Sequence, residues 1–129
     1  FAIPLLGTLI ANLGAFPVDR AAGGTAALRA SLRLLKAGNC VGVFPEGGRN
    51  IHGTNEEKDG AAFLGAASGV PIVPAAIVGT RHLRPFSPVT IIFGEPFRLG
   101  WNRKSDGGDL AKGTAEIMQR IRTLEESTR

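Results

Sequence analysis

Short apolar runs alternate with longer stretches of helical periodicity along this chain, and that alternation limits its possible folds more than any other feature. The runs AFPV at 15–18, CVGVF at 40–44, VPIVPAAIVG at 70–79 and PVTIIFG at 88–94 read as strands, the first weakened by Pro17. Pro71 and Pro74 belong at a strand entry or an irregular edge, because proline has no N–H to give a ladder. Helix signals lie between and around these runs. Leu5, Leu6, Leu9, Ile10 and Leu13 recur at helical spacing after Pro4, with Gly14 as the stop. Thr25 is placed to cap a helix over 25–38, in which Leu28, Leu32 and Leu35 form one stripe and Arg29, Arg33 and Lys36 lie off it; Gly38 and Asn39 close it. A small-residue helix over 59–68 ends at Gly69, and a closing helix from about 109 carries Leu110, Thr114, Ile117, Ile121 and Leu124 on one stripe.

Strands separated by helices of about ten or more residues imply crossover connections. The expected fold class is therefore α/β, a mostly parallel sheet covered by helices, in a single domain over 1–129. In such sheets ligands gather beyond the carboxyl ends of the strands. Arg20 follows AFPV closely, and Glu46 and Arg49 lie just past CVGVF. Two guanidinium groups and a carboxylate are thus expected on one rim of the sheet.

The 129 residues suffice for one domain with a real core, since a chain of this size buries roughly two thirds of its extended surface. The formal charge of +4 favours anionic partners. With 6% aromatic residues and no basic run interleaved with rings, a nucleic-acid partner is not expected. Cys40, the single cysteine, sits in an apolar run and is expected to be a buried structural thiol in a reducing compartment. Residues 1–18 carry no charge, but prolines, glycines and Asn12 interrupt them, and a membrane span needs about 20 uninterrupted apolar residues. A buried or membrane-facing helix is the expected form. Because Phe1 opens inside this apolar segment, the chain is expected to be truncated on its N-terminal side.

Two guanidinium groups meeting above strand ends suit a phosphate, since each can donate parallel charge-assisted hydrogen bonds to its oxygens. Gly47 and Gly48 let backbone approach such a ligand closely. Glu46 would be repelled by an adjacent phosphate, so it braces an arginine, binds a ligand hydroxyl or caps backbone amides. An ion pair between Glu46 and an arginine that only pins the loop is the competing reading. No G-x-x-x-x-G-K-S/T loop, no G-x-G-x-x-G after a strand and no CxxC or histidine cluster is present, so the nucleotide and zinc signatures are missing. His52 reads as a solvated loop residue, His82, flanked by Arg81 and Arg84, as a surface or phosphate-adjacent group, and Trp101 as a cover for the sheet edge rather than a lipid-interface anchor.

GAFPVDR at 14–20, VFPEGGRN at 43–50, EKDGAAFLGAASG at 57–69 and VPIVPAAI at 70–77 stand in an order and spacing more specific than any one of them. In these blocks the chain resembles the glycerolipid acyltransferases that esterify 1-acylglycerol-3-phosphate. The resemblance implies that Arg20 and Arg49 bind the acceptor's phosphate, that Glu46 and Gly47 organise the pocket or contact the glycerol, and that Lys58 is a lesser anion contact. Gly48 and Asn50 depart from the family's usual threonine and serine. The family's first block, a histidine followed after four residues by an aspartate, is absent; the resemblance implies that it lies upstream of Phe1. No catalytic residue is therefore assigned within the chain, and these residues alone are expected to bind phosphate better than they turn over. The implied reaction transfers a fatty acyl group from acyl-CoA or acyl carrier protein, as co-substrate, to the free hydroxyl of a lysophospholipid acceptor, 1-acylglycerol-3-phosphate, giving phosphatidic acid. No bound cofactor or metal is implied, and the expected location is a membrane surface, on the cytoplasmic face. The alternative is a non-catalytic phosphate- or lipid-binding module of the same fold.

Overall fold

The computed structural model describes residues 12, 14–15, 24–46, 57–80, 88–100 and 107–127. The chain divides into two compact units, Phe1–Val41 and Gly42–Arg129. Of the first expected helix only Asn12 is described, and it is helical; the apolar residues of that helix and Phe16, Pro17 and Val18 of AFPV lie outside the described residues.

In the first unit, helix α1 spans Thr25–Lys36. It begins one residue earlier than Thr25 would require as a cap. Gly24 is the N-cap, with φ 69°, and its carbonyl accepts from the N–H of Leu28 at 3.0 Å. Thr25 is thus the first helical residue, and no side chain caps the helix. Leu28, Leu32 and Leu35 are half-buried along the expected stripe, and Ser31 beside them is buried. The end is closed as expected: the N–H of Gly38 donates to Leu35 and the N–H of Asn39 to Leu34, while the Asn39 side-chain amide adds a bond of 3.2 Å to the Leu34 carbonyl.

The second unit holds strands β1, Ala75–Val78, and β2, Thr90–Phe93, with helices α2, Gly60–Ser68, and α3, Gly107–Glu126. The two strands pair antiparallel, Ala75 opposite Phe93 and Val78 opposite Thr90. Pairing continues past the strand ends, where Gly94 N–H donates to the Pro74 carbonyl at 2.9 Å and Ile72 exchanges both backbone bonds with Phe97. Pro74 stands immediately before β1, where its missing N–H costs the ladder nothing.

This overturns the expected mostly parallel sheet covered by helices. Among the described residues the sheet has two strands, and they are antiparallel. Residues 79–89 join them, a connection without a helix signal and too short for a crossover, which takes a dozen or more residues. The expected strand CVGVF is also not formed. Among the described residues, 39–44 join no ladder, and Gly42 at the centre of the run weakens it as a strand. Val43 is 44% and Phe44 76% exposed. Cys40 shares this fate: it is exposed, not the expected buried thiol, because the strand that would have buried it is missing.

The core of the second unit lies where α3 meets α2 and β1. Ala62, Leu64 and Ala66 of α2, Ala76 of β1 and Ile117 and Met118 of α3 are buried there. The small residues of α2 permit close packing; a Cβ on Gly65 would stand 2.4 Å from Ile72 Cδ1. Alternation through β1 and the two residues before it buries Pro74 and Ala76 and leaves Val73 and Ile77 outward, and Ile91 and Phe93 of β2 share that exposed face.

Candidate functional site

The loop that carries the charged residues after CVGVF is closed at its base. The N–H of Lys58 donates to the carbonyl of Pro45 at 2.8 Å. Glu46, half-buried in a turn, leaves this junction, and Lys58, exposed, returns to it just before α2. One backbone bond therefore brings two sequence-predicted site residues to the two sides of a single closure. Gly47 and Arg49 belong to the enclosed segment by sequence; their placement, like that of Arg20, His52, His82 and Trp101, lies outside the described residues. The rim expected to gather Arg20, Glu46 and Arg49 cannot rest on CVGVF as a strand end, because that run is not a strand.

Helix α3 holds the returning side of the loop. Asp59 is the N-cap residue of α2, a position from which a carboxylate ordinarily accepts from its own helix's N–H groups. Here it makes no such bond, and its Oδ1 accepts from the Thr114 hydroxyl at 2.7 Å. Thr114 is only 5% exposed. One residue before Lys58, Glu57 is paired with Arg122, also on α3. The sequence carried a signal for the first contact: Thr114 is the one hydroxyl on a stripe otherwise made of leucine and isoleucine, and a buried hydroxyl needs a partner. Glu57 and Arg122, separated by 65 positions, left no such mark.

A groove of about 480 Å³ opens elsewhere, lined by Pro74, Gly94, Glu95, Glu116 and Arg120 among others, and includes neither Glu46 nor Lys58. Its guanidinium is already engaged, bonded to Glu116 at 2.9 Å and lying 4.0 Å over the Phe97 ring. Among the described residues no cluster of three histidine, cysteine or acidic side chains could hold a metal ion.

The blocks on either side of this loop define an acyl-transferring class of protein. The family model described as Acyltransferase matches residues 1–78, more than half of the chain, and the chain belongs to that family. It is 33% identical over 127 residues to the 1-acyl-sn-glycerol-3-phosphate acyltransferase of Bacillus subtilis (strain 168), covering 93% of this chain and 62% of that protein. It is 34% identical over 88 residues to the chloroplastic 1-acyl-sn-glycerol-3-phosphate acyltransferase BAT2 of Brassica napus, covering 66% of this chain and 26% of that one. The 1-acyl-sn-glycerol-3-phosphate acyltransferase of Streptococcus pneumoniae (strain ATCC BAA-255 / R6) is 26% identical over 133 residues, covering 100% of this chain and 49% of its own. The chain thus spans less than two thirds of the length of these relatives. No solved structure matches it. Acyl transfer is the general chemistry of that family.

Proposed function

We propose that the chain forms the acceptor-binding part of an enzyme that moves a fatty acyl group from a thioester, of coenzyme A or acyl carrier protein, to the free hydroxyl of 1-acylglycerol-3-phosphate. The acceptor oxygen forms the new ester bond at the thioester carbonyl as its proton passes to a base, and the C–S bond breaks to release the thiolate. The family resemblance assigns the base to a histidine oriented by an aspartate, neither of them among these residues. Arg20 and Arg49 hold the phosphate, Glu46 and Gly47 organise the headgroup pocket, and Lys58 supplies a lesser contact. The observation that carries this reading is the Pro45–Lys58 bond, which closes the segment containing Gly47 and Arg49 and sets Glu46 at its mouth.

The test is to incubate the intact protein with an acyl thioester and 1-acylglycerol-3-phosphate and to follow thiol release and phosphatidic acid together. Matched formation of both products is expected. Thiol release without a new ester would mean simple hydrolysis. Tight acceptor binding with neither product would favour the non-catalytic lipid-binding module.

Membrane-surface attachment, on the cytoplasmic face, belongs to the same proposal. It is supported by the uncharged residues 1–18, the basic residues Arg29, Arg33 and Lys36 of α1, and the water-poor substrates. No helix among the described residues is long and apolar enough to cross a membrane. The intact protein is expected to float with anionic liposomes at low salt and to be partly released as salt screens the attraction. A protein left wholly in the soluble fraction at low salt would contradict this attachment.

A further inference from the structure

We propose that helix α3 sets the position of the candidate headgroup loop, with Thr114 acting as a positioning residue through Asp59, so that acceptor affinity depends on a contact remote from the ligand. This rests on the acceptor-binding reading above. Three consecutive residues on the returning side of the loop are each held by a different partner. Glu57 is paired with Arg122 of α3, the Lys58 N–H donates to Pro45 at 2.8 Å, and the Asp59 carboxylate accepts from Thr114 of α3 at 2.7 Å. The outer bonds fix the backbone that presents the middle one, so a shift of α3 against 57–59 would disturb the closure at Lys58.

The two α3 contacts are unequal. Glu57 and Arg122 are 31% and 60% exposed, and water weakens a pair of that kind. Thr114 is almost fully buried and donates to the carboxylate of Asp59, which is exposed, so water can compete at only one end of this bond. Asp59 forgoes the cap of its own helix while serving this contact, so its carboxylate joins α2 to α3 rather than stabilising α2 alone. Thr114 is assigned no ligand contact, and its influence passes through Asp59 and Lys58.

Thr114→Val keeps the side-chain shape and removes the O–H, whereas Thr114→Ser keeps the O–H. In the intact protein, Thr114→Val is expected to raise the KM for 1-acylglycerol-3-phosphate by up to about tenfold, the limit reached when the whole energy of a hydrogen bond to a charged group is felt in acceptor binding. The KM for the acyl thioester is expected to stay unchanged. Hydrogen exchange should quicken at the Lys58 amide more than at the Ile72 and Phe97 amides, and Thr114→Ser should restore both readouts. Asp59→Asn, which keeps an acceptor oxygen without the charge, should move both in the same direction by about threefold and serves if Thr114→Val does not fold. Unchanged Lys58 exchange overturns the inference, as does faster exchange with unchanged acceptor KM, or an equal rise for donor and acceptor. If the wild-type protein transfers no acyl group, the functional reading fails separately. Lys58 exchange and calorimetric affinity for 1-acylglycerol-3-phosphate then decide the positioning role by the same criteria.

Discussion

Arg20→Ala or Arg49→Ala in the intact protein is expected to lower kcat/KM for 1-acylglycerol-3-phosphate by about 100-fold, while an unphosphorylated glycerol analogue loses far less. The size follows from charge-assisted bonds to a phosphate, worth up to about 3 kcal/mol when one partner is removed. Lysine at either position would keep the charge but not the planar fork, so an intermediate loss is expected. If both guanidinium groups grip the same phosphate, the double alanine variant should lose less than the sum of the two single losses, because the first loss already frees the ligand from the shared geometry. Equal losses for the phosphorylated and unphosphorylated acceptors would mean that the arginines hold the fold and not the headgroup.

The sequence revealed local structure far better than pairing. Helix α3 was legible because Leu110, Thr114, Ile117, Ile121 and Leu124 repeat at one helical face, and all five are buried or half-buried in the structure. Gly69 marked the end of α2, and Gly38 with Asn39 the end of α1, for the same local reason. Which strand pairs with which is a non-local property, and there the expectation failed. CVGVF and AAIV are both apolar runs, yet among the described residues only the second meets a ladder partner. The connection over 79–89 held the missing information, since its length and lack of helix periodicity favour a direct antiparallel return. The candidate site divides along the same line. Glu46 and Lys58 were singled out by residue type and block order, but the bond that closes their loop and the α3 contacts behind it join residues far apart in sequence.

That antiparallel return also yields a stability prediction with a large expected effect. Gly79 follows the last residue of β1 with φ 96°, and a Cβ placed on it would lie 2.4 Å from the Pro88 carbonyl oxygen. Gly79→Ala therefore meets two penalties. The left-handed backbone costs a side chain about 1–2 kcal/mol, and the collision with a backbone oxygen, which no rotamer can relieve, adds about 1–3 kcal/mol. Together they take a substantial share of a typical total stability of about 5–15 kcal/mol. Gly69→Ala separates the terms: Gly69 has φ 68° and nothing within 4 Å of the added methyl, so it should lose only the backbone part. Urea unfolding of the two variants is expected to rank Gly79→Ala well below Gly69→Ala. Equal loss in both would mean that Pro88 does not press on Gly79 and that the chain returns to β2 by a looser path.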